Sequence, residues 1–146
     1  MPALERTASA TWNGSVKEGQ GQISAASGVL SNTPYSFATR FENRSGTNPE
    51  ELIAAAHAAC YSMALALTLS EKGYQPQQVQ TQATCTIASQ NGGFKITKMQ
   101  LETQGDVSGI DAETFAQIAR EAEQICPVSN ALRNGMEIDL KASLKS

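Results

Sequence analysis

Between Leu52 and Ser70 the sequence carries no charged residue, and few structures can hold such a run. It is rich in Ala and Leu, which favour helix, and its apolar residues lie on every side of that helix rather than along one stripe. A helix of this kind is either buried in a soluble core or spans a membrane, which takes about 20 apolar residues. His57, Ser62 and Thr68 inside the run, and the polar character of the rest of the chain, favour the core. The preceding residues supply a start: Thr47 or Asn48 as N-cap, Pro49 at the first helical position, Glu50 and Glu51 at the positive end of the dipole. Glu50 also stands three residues after Thr47, the capping-box spacing. Lys72-Gly73 reads as the end. Cys60 sits near the middle, and the functional question is why a thiol is there.

The remaining constraints are broad. A chain of 146 residues fits one domain, 1–146, with a core that needs no disulfide staples. A formal net charge of -3 gives no basic surface for nucleic acid. The N-terminal residues turn polar at once with no apolar secretory segment. Three cysteines then imply thiols in a reducing, cytoplasmic setting.

Alternation and turn residues predict β-structure on both sides of the helix. Thr7 to Trp12 reads as a strand followed by an Asn13-Gly14 hairpin turn. Gln22 to Ala25 and Val29-Leu30 are weaker strands. Pro34 to Glu42 alternates, with Tyr35, Phe37, Thr39 and Phe41 on one face and Ser36, Ala38, Arg40 and Glu42 on the other. Val79 to Ser89 and Phe94 to Thr103 flank Asn91-Gly92-Gly93 as a second hairpin. Asp111 opens an amphipathic helix with Phe115, Ile118, Ala122, Ile125 and Cys126 on the apolar face and Gln117, Arg120, Glu121 and Glu123 opposite. Pro127 breaks that helix at Cys126. A short helix, Val128 to Arg133, and a strand, Met136 to Leu144, close the chain. The grouping of strands apart from two main helices predicts α+β.

Cys60 and Cys126 are too far apart in sequence for a CxxC or a zinc spacing. Either could be a small buried hydrophobe. Cys126, however, precedes a helix-interrupting proline, or becomes the N-cap of the next helix, where the dipole favours a thiolate. Cys85, in a predicted strand, reads as structural. Arg40 by default pairs with Glu42 on the same strand face; alternatively its charge lowers a nearby thiol pKa. Glu50 by default serves the helix dipole. His57, one turn before Cys60, reads as a core or polar-core residue ahead of a Cys-His base, because such bases come from separate elements.

Arg40-Phe41-Glu42, the stretch from Gly46 to Cys60 that includes Asn48-Pro49-Glu50-Glu51-Leu52, and the distant Cys126-Pro127-Val128-Ser129 closely resemble the osmotically inducible protein C (OsmC) branch of the OsmC/Ohr family. The likeness runs along nearly the whole chain. The resemblance implies an OsmC-like α+β fold with antiparallel sheets packed around two central helices, in an intertwined homodimer. It also implies thiol-dependent reduction of hydroperoxides, with Cys60 as peroxidatic nucleophile, Cys126 as resolving thiol, and Arg40 with Glu50 orienting and activating Cys60.

Helix geometry adds a condition. Ten residues of helix separate Glu50 from Cys60, about 15 Å at 1.5 Å per residue, so Glu50 should serve the Cys60 of a second subunit unless the helix bends. A buried thiol has a raised pKa, and a guanidinium in contact would offset this. The expected chemistry is attack on the peroxide O–O bond, a sulfenic acid at Cys60, and closure to a Cys60–Cys126 disulfide. An external dithiol, for which the resemblance points to a dihydrolipoyl group on a lipoylated protein, would reset it. Apolar neighbours such as Leu52, Ile53, Met63, Leu65, Phe115 and Ile118 suit an organic hydroperoxide. No metal or organic cofactor is indicated, since His57 and separated cysteines make no metal set. Two rivals remain: an acyl-transferring or hydrolytic enzyme using Cys60 with His57, and a non-catalytic redox-sensing dimer.

Overall fold

A computed structural model describes residues 2–145. The chain forms two compact units, the first ending at Leu52 and the second beginning at Ile53.

The first unit holds an antiparallel sheet of β1 (Ala8–Asn13), β2 (Gln20–Ala25) and β3 (Thr33–Tyr35), in that order, followed by the short helix α1 (Phe37–Phe41). Asn13-Gly14 does not make a two-residue turn. Asn13 pairs with Gln20, and the six residues between them loop out, held in part by the Trp12 indole N–H, which reaches the carbonyls of Gly14 and Ser15. Val29-Leu30 is a bend rather than a strand. Trp12 packs on Tyr35 with ring centroids 5.4 Å apart. Gly21 lies beneath them: a Cβ there would stand 2.5 Å from Tyr35 and 2.6 Å from Trp12, so only glycine lets both rings close over β2.

The expected strand from Pro34 to Glu42 is also corrected. It stops at Tyr35, because Ser36 caps a helix: the Ser36 hydroxyl accepts from the Thr39 amide, and the Thr39 hydroxyl accepts from the Ser36 amide. This reciprocal cap satisfies two donors locally and outweighs the alternation. Arg40 is therefore a helical residue.

Helix α2 (Pro49–Glu71) begins in the first unit and supplies the spine of the second. Asn48 is its cap, its Oδ1 accepting from the Glu51 amide at 2.8 Å. The Thr47–Glu50 capping box does not form, since the Thr47 hydroxyl bonds Glu51 and Glu50 is engaged elsewhere. At the far end Gly73 takes φ 91°, and the Tyr74 amide bonds back to Leu69, the left-handed cap that glycine favours.

In the second unit β4 (Pro76–Gln90) and β5 (Gly93–Val107) form a long antiparallel hairpin around the two-residue Asn91-Gly92 turn. Both turn residues have positive φ, the I′ geometry that matches strand twist. Next come α3 (Ala112–Ile125), capped by Asp111, and α4 (Pro127–Leu132). They return the chain so that β6 (Glu137–Leu144) joins β5 in parallel. The expectation of antiparallel sheets thus fails at β5–β6, because two helices in the connection carry the chain back to the other end of the sheet.

The core of this unit gathers Tyr61, Ala64, Leu65 and Leu69 of α2, Leu101 of β5, and Phe115, Ile118, Ala119, Ala122 and Cys126 from α3 and its end. Gly105 of β5 is buried against Phe115, where a Cβ would lie 2.5 Å from the ring. Two assignments on α3 change: Ile125 is half exposed, and Glu123 is buried. The reason is a polar partner, Arg133, described below. Every buried hydrophobic residue among those described lies between Tyr61 and Cys126; the first unit has none. Nor is α2 covered all round. Ala55, Ala56, Ala59, Met63 and Leu67 are exposed, Met63 at 76% and Leu67 at 53%. By length and composition α2 could cross a membrane, but its other face is packed into the core.

Candidate active site

Cys60 and Cys126 meet. The Cys126 thiol points at Cys60 with the sulfurs 3.3 Å apart, and all three cysteines are thiols. The contact is built from two helix features. Cys60 lies mid-α2, one residue before the buried Tyr61, whose hydroxyl donates to the Ala119 carbonyl at 2.9 Å and fixes α2 against α3. Cys126 ends α3 and caps α4, with extended backbone and Pro127 at the first helical position; its sulfur accepts from the Ser129 amide at 3.5 Å. Cys126 is fully buried and Cys60 partly so. Burial pushes the Cys60 thiol up, the Val128 amide acts against this, and the neighbouring Cys126 adds to it. Cys85 lies on β4 opposite Met99 of β5.

Behind the thiols lies a polar set that the sequence did not reveal. His57 Nε2 and Ser129 Oγ are 2.7 Å apart, both side chains fully buried. His57 Nδ1 has no hydrogen-bond partner among the described residues. Burial lowers the His57 pKa from its ordinary value of 6.5; Glu123 opposes this and Arg133 reinforces it. Glu123 is held by Arg133, whose Nη1 donates to Oε1 at 3.0 Å and whose Nη2 donates to the Glu123 carbonyl at 3.2 Å. Nη2 also approaches Oε2 at 2.8 Å without hydrogen-bond alignment. Periodicity alone puts Glu123 on the polar face, but it is buried. The hint in the sequence was Ser129, three residues after the cap Cys126, where its amide faces the capping sulfur.

Arg40 and Glu50 meet in the first unit. Arg40 Nε donates to Oε1 at 2.9 Å and Nη2 to Oε2 at 2.8 Å, a two-pronged pair. Glu50 is buried and the Arg40 side chain about one-third exposed. The bond to Glu50 raises the Arg40 pKa, and the guanidinium packs over Phe41. Glu50, not Glu42, is Arg40's partner, because α1 turns Arg40 toward the first turn of α2. Removing either partner would strand a charge, and for buried Glu50 that is costly. Among the described residues, no three His, Cys, Asp or Glu side chains cluster as a metal-binding set.

Comparisons with known proteins agree on one family. The family described as OsmC-like protein matches residues 42–141. Peroxiredoxin OsmC of Escherichia coli (strain K12) is 48% identical over 98% of this chain and 99% of its own. Among solved structures, an organic hydroperoxide resistance protein from Elizabethkingia anophelis, with thiocyanate bound, superposes with a TM-score of 0.78 at 28% identity, covering 99% of this chain and 100% of that one. OhrB of Bacillus subtilis superposes with a TM-score of 0.74 at 27% identity, covering 94% and 98%.

Proposed function

This chain belongs to the family of OsmC-like proteins, and on that premise we propose that it is a two-cysteine peroxidase reducing organic hydroperoxides, and hydrogen peroxide more weakly, in oxidative and osmotic stress defence. It is an oxidoreductase of the peroxidase class. The observation that carries the two-cysteine reading is the 3.3 Å approach of the Cys126 and Cys60 sulfurs.

In this reading Cys60, as thiolate, attacks one oxygen of the hydroperoxide. The O–O bond breaks, the alcohol leaves with a proton, and Cys60 becomes a sulfenic acid. The Cys126 sulfur then attacks the Cys60 sulfur, the S–O bond breaks, and water departs as the disulfide forms. Two thiols of an external dithiol restore both cysteines by exchange. A dihydrolipoyl group on a lipoylated protein fits that role. A cytoplasmic location agrees with three cysteines kept as thiols.

A raised thiol pKa leaves too little thiolate, so the first step needs a cation near Cys60. Arg40, fixed by Glu50, is the group we assign. Ten residues of helix rise separate Glu50 from Cys60, about 15 Å, which favours a homodimer in which the partner's Arg40 serves each thiol. The open apolar face of α2 and a first unit without an apolar core support that arrangement, since both leave surface for a second copy to cover. Met63 and Leu67, three and seven residues beyond Cys60, give the site an apolar flank suited to an organic substrate.

The deciding test is consumption of cumene hydroperoxide with a dithiol reductant. Cys60→Ser should abolish turnover, while Cys126→Ser should complete one turnover and then over-oxidise at Cys60. A Cys60→Ser protein as fast as wild type ends the proposal.

A further inference from the structure

His57 stands three residues before Cys60 on α2, and Ser129 three residues after Cys126 on α4. Their side chains bond at 2.7 Å while the sulfurs stand 3.3 Å apart. Two helix turns and two contacts therefore close a ring. One corner is the thiol pair, the opposite corner is His57 and Ser129, and helical neighbours at this spacing share a face. Ser129 belongs to both sides of its corner, since its amide donates to the Cys126 sulfur and its hydroxyl meets the imidazole. The neighbouring polar groups hydrogen-bond elsewhere: Tyr61 bonds the Ala119 carbonyl, and Arg133 is occupied by Glu123 and Asn130.

We propose that His57 and Ser129 are positioning residues for the resolving step, holding the first turn of α4 where Cys126 can close on oxidised Cys60. This rests on the two-cysteine reading above. A disulfide needs the sulfurs about 2.05 Å apart, so Cys126 must advance by roughly 1.2 Å from its present place. With the opposite corner of the ring fixed, that advance is a small turn of α4 about the His57–Ser129 bond. With the corner cut, α4 loses its one side-chain hydrogen bond to α2 that does not involve sulfur among those described, and the Cys126 sulfur samples positions that do not lead to attack. The covalent change is unaltered: S–S forms, S–O breaks, and the Cys126 proton leaves with the hydroxide as water. What changes is the competition between closure and a second peroxide, which converts the waiting sulfenic acid to sulfinic acid.

That competition supplies the test, because disulfide and sulfinate arise from the same sulfenic acid and their ratio does not depend on how fast it formed. The protein is treated with a fixed excess of cumene hydroperoxide, quenched by alkylation, and read by intact mass. His57→Ala and Ser129→Ala should lower the ratio of disulfide to sulfinate about ten-fold, the effect expected for loss of one buried hydrogen bond. His57→Gln, whose amide nitrogen can reach Ser129, should recover most of it. Thr68→Val, which removes the buried Thr68 hydroxyl from the Ala64 carbonyl on the same helix, controls for general loosening and should keep the wild-type ratio. Ser129→Ala removes one atom, so it remains informative if His57→Ala fails to fold. An unchanged ratio in Ser129→Ala, or an equal shift in Thr68→Val, overturns the proposal while wild type still forms its disulfide. Wild type forming neither product would instead sink the two-cysteine reading, and this inference with it.

Discussion

His57 is the chain's one histidine, so any titration of an imidazole in this protein belongs to it. Its pKa is lowered by burial, with Glu123 of α3 opposing and Arg133 beyond α4 reinforcing the shift. As pH falls through 6.5 the unfolded chain takes up a proton before the folded one does. Stability is therefore complete above that value and declines below it, until the folded ring itself protonates. His57→Gln should flatten this slope, measured as the urea midpoint between about pH 7 and pH 5; a wild-type slope in that variant would refute the assignment. Gly105 makes a second residue-scale case. Gly105→Ala drives a methyl into Phe115 and should cost about 1–3 kcal/mol, as overpacking does, read by urea denaturation; a neutral result would mean that Phe115 can move aside. The core position of His57 was legible in the sequence, and so was Cys126 as a helix cap, from Pro127 beside it; the partners of His57 and the Gly105–Phe115 contact are products of long-range packing.

At the scale of elements, local signals served well wherever they were the strongest competitor. The β4–β5 hairpin is set by Asn91-Gly92, and α3 by Asp111 and its apolar spacing. Ser36 and Thr39 show the opposite case, in which a side-chain cap overrode five alternating residues and turned an expected strand into α1. Glu123 shows another, since helical periodicity cannot see an arginine that arrives ten residues later. The cap of α2 offers a direct measure: Asn48→Ala removes the acceptor for the Glu51 amide and should lose about 1 kcal/mol. It also removes the Asn48 bond to the Thr39 carbonyl, so a loss well under that value would show the α2 start to be fixed by other contacts. The exposed face of α2 carries a sharper expectation. Leu67→Glu puts a charge on the surface assigned to the second copy, and sedimentation should then report a monomer with little peroxidase activity. A Leu67→Glu dimer of full activity would place the interface elsewhere.

Across the whole molecule, the α+β class and the two cysteines that meet could be picked out in the chain, while the parallel partnership of β5 and β6 could not. Strand direction there depends on how α3 and α4 carry the chain back, which no local pattern encodes. The pairing of Arg40 with Glu50 is a different case: the resemblance implies these two residues as a pair, and their two-pronged contact bears that out, whereas the default partner Glu42 rested on a strand that is in fact the helix α1.

The first unit has no buried apolar residue of its own among those described, yet it carries Arg40 and Glu50. In the proposed dimer, a cation mounted on so thin a scaffold makes the chemistry answerable to mass action. On that proposal each thiol should find its guanidinium at high concentration, and on dilution subunits should part and leave the thiol at the raised pKa of an isolated chain. Specific activity per subunit should therefore fall as the enzyme is diluted below its dissociation constant and return when inactive Cys60→Ser chains, which still carry Arg40, are added back. A catalyst built as proposed would read its own abundance, so that raising its level in the cell would increase the activity of every copy as well as the number of copies.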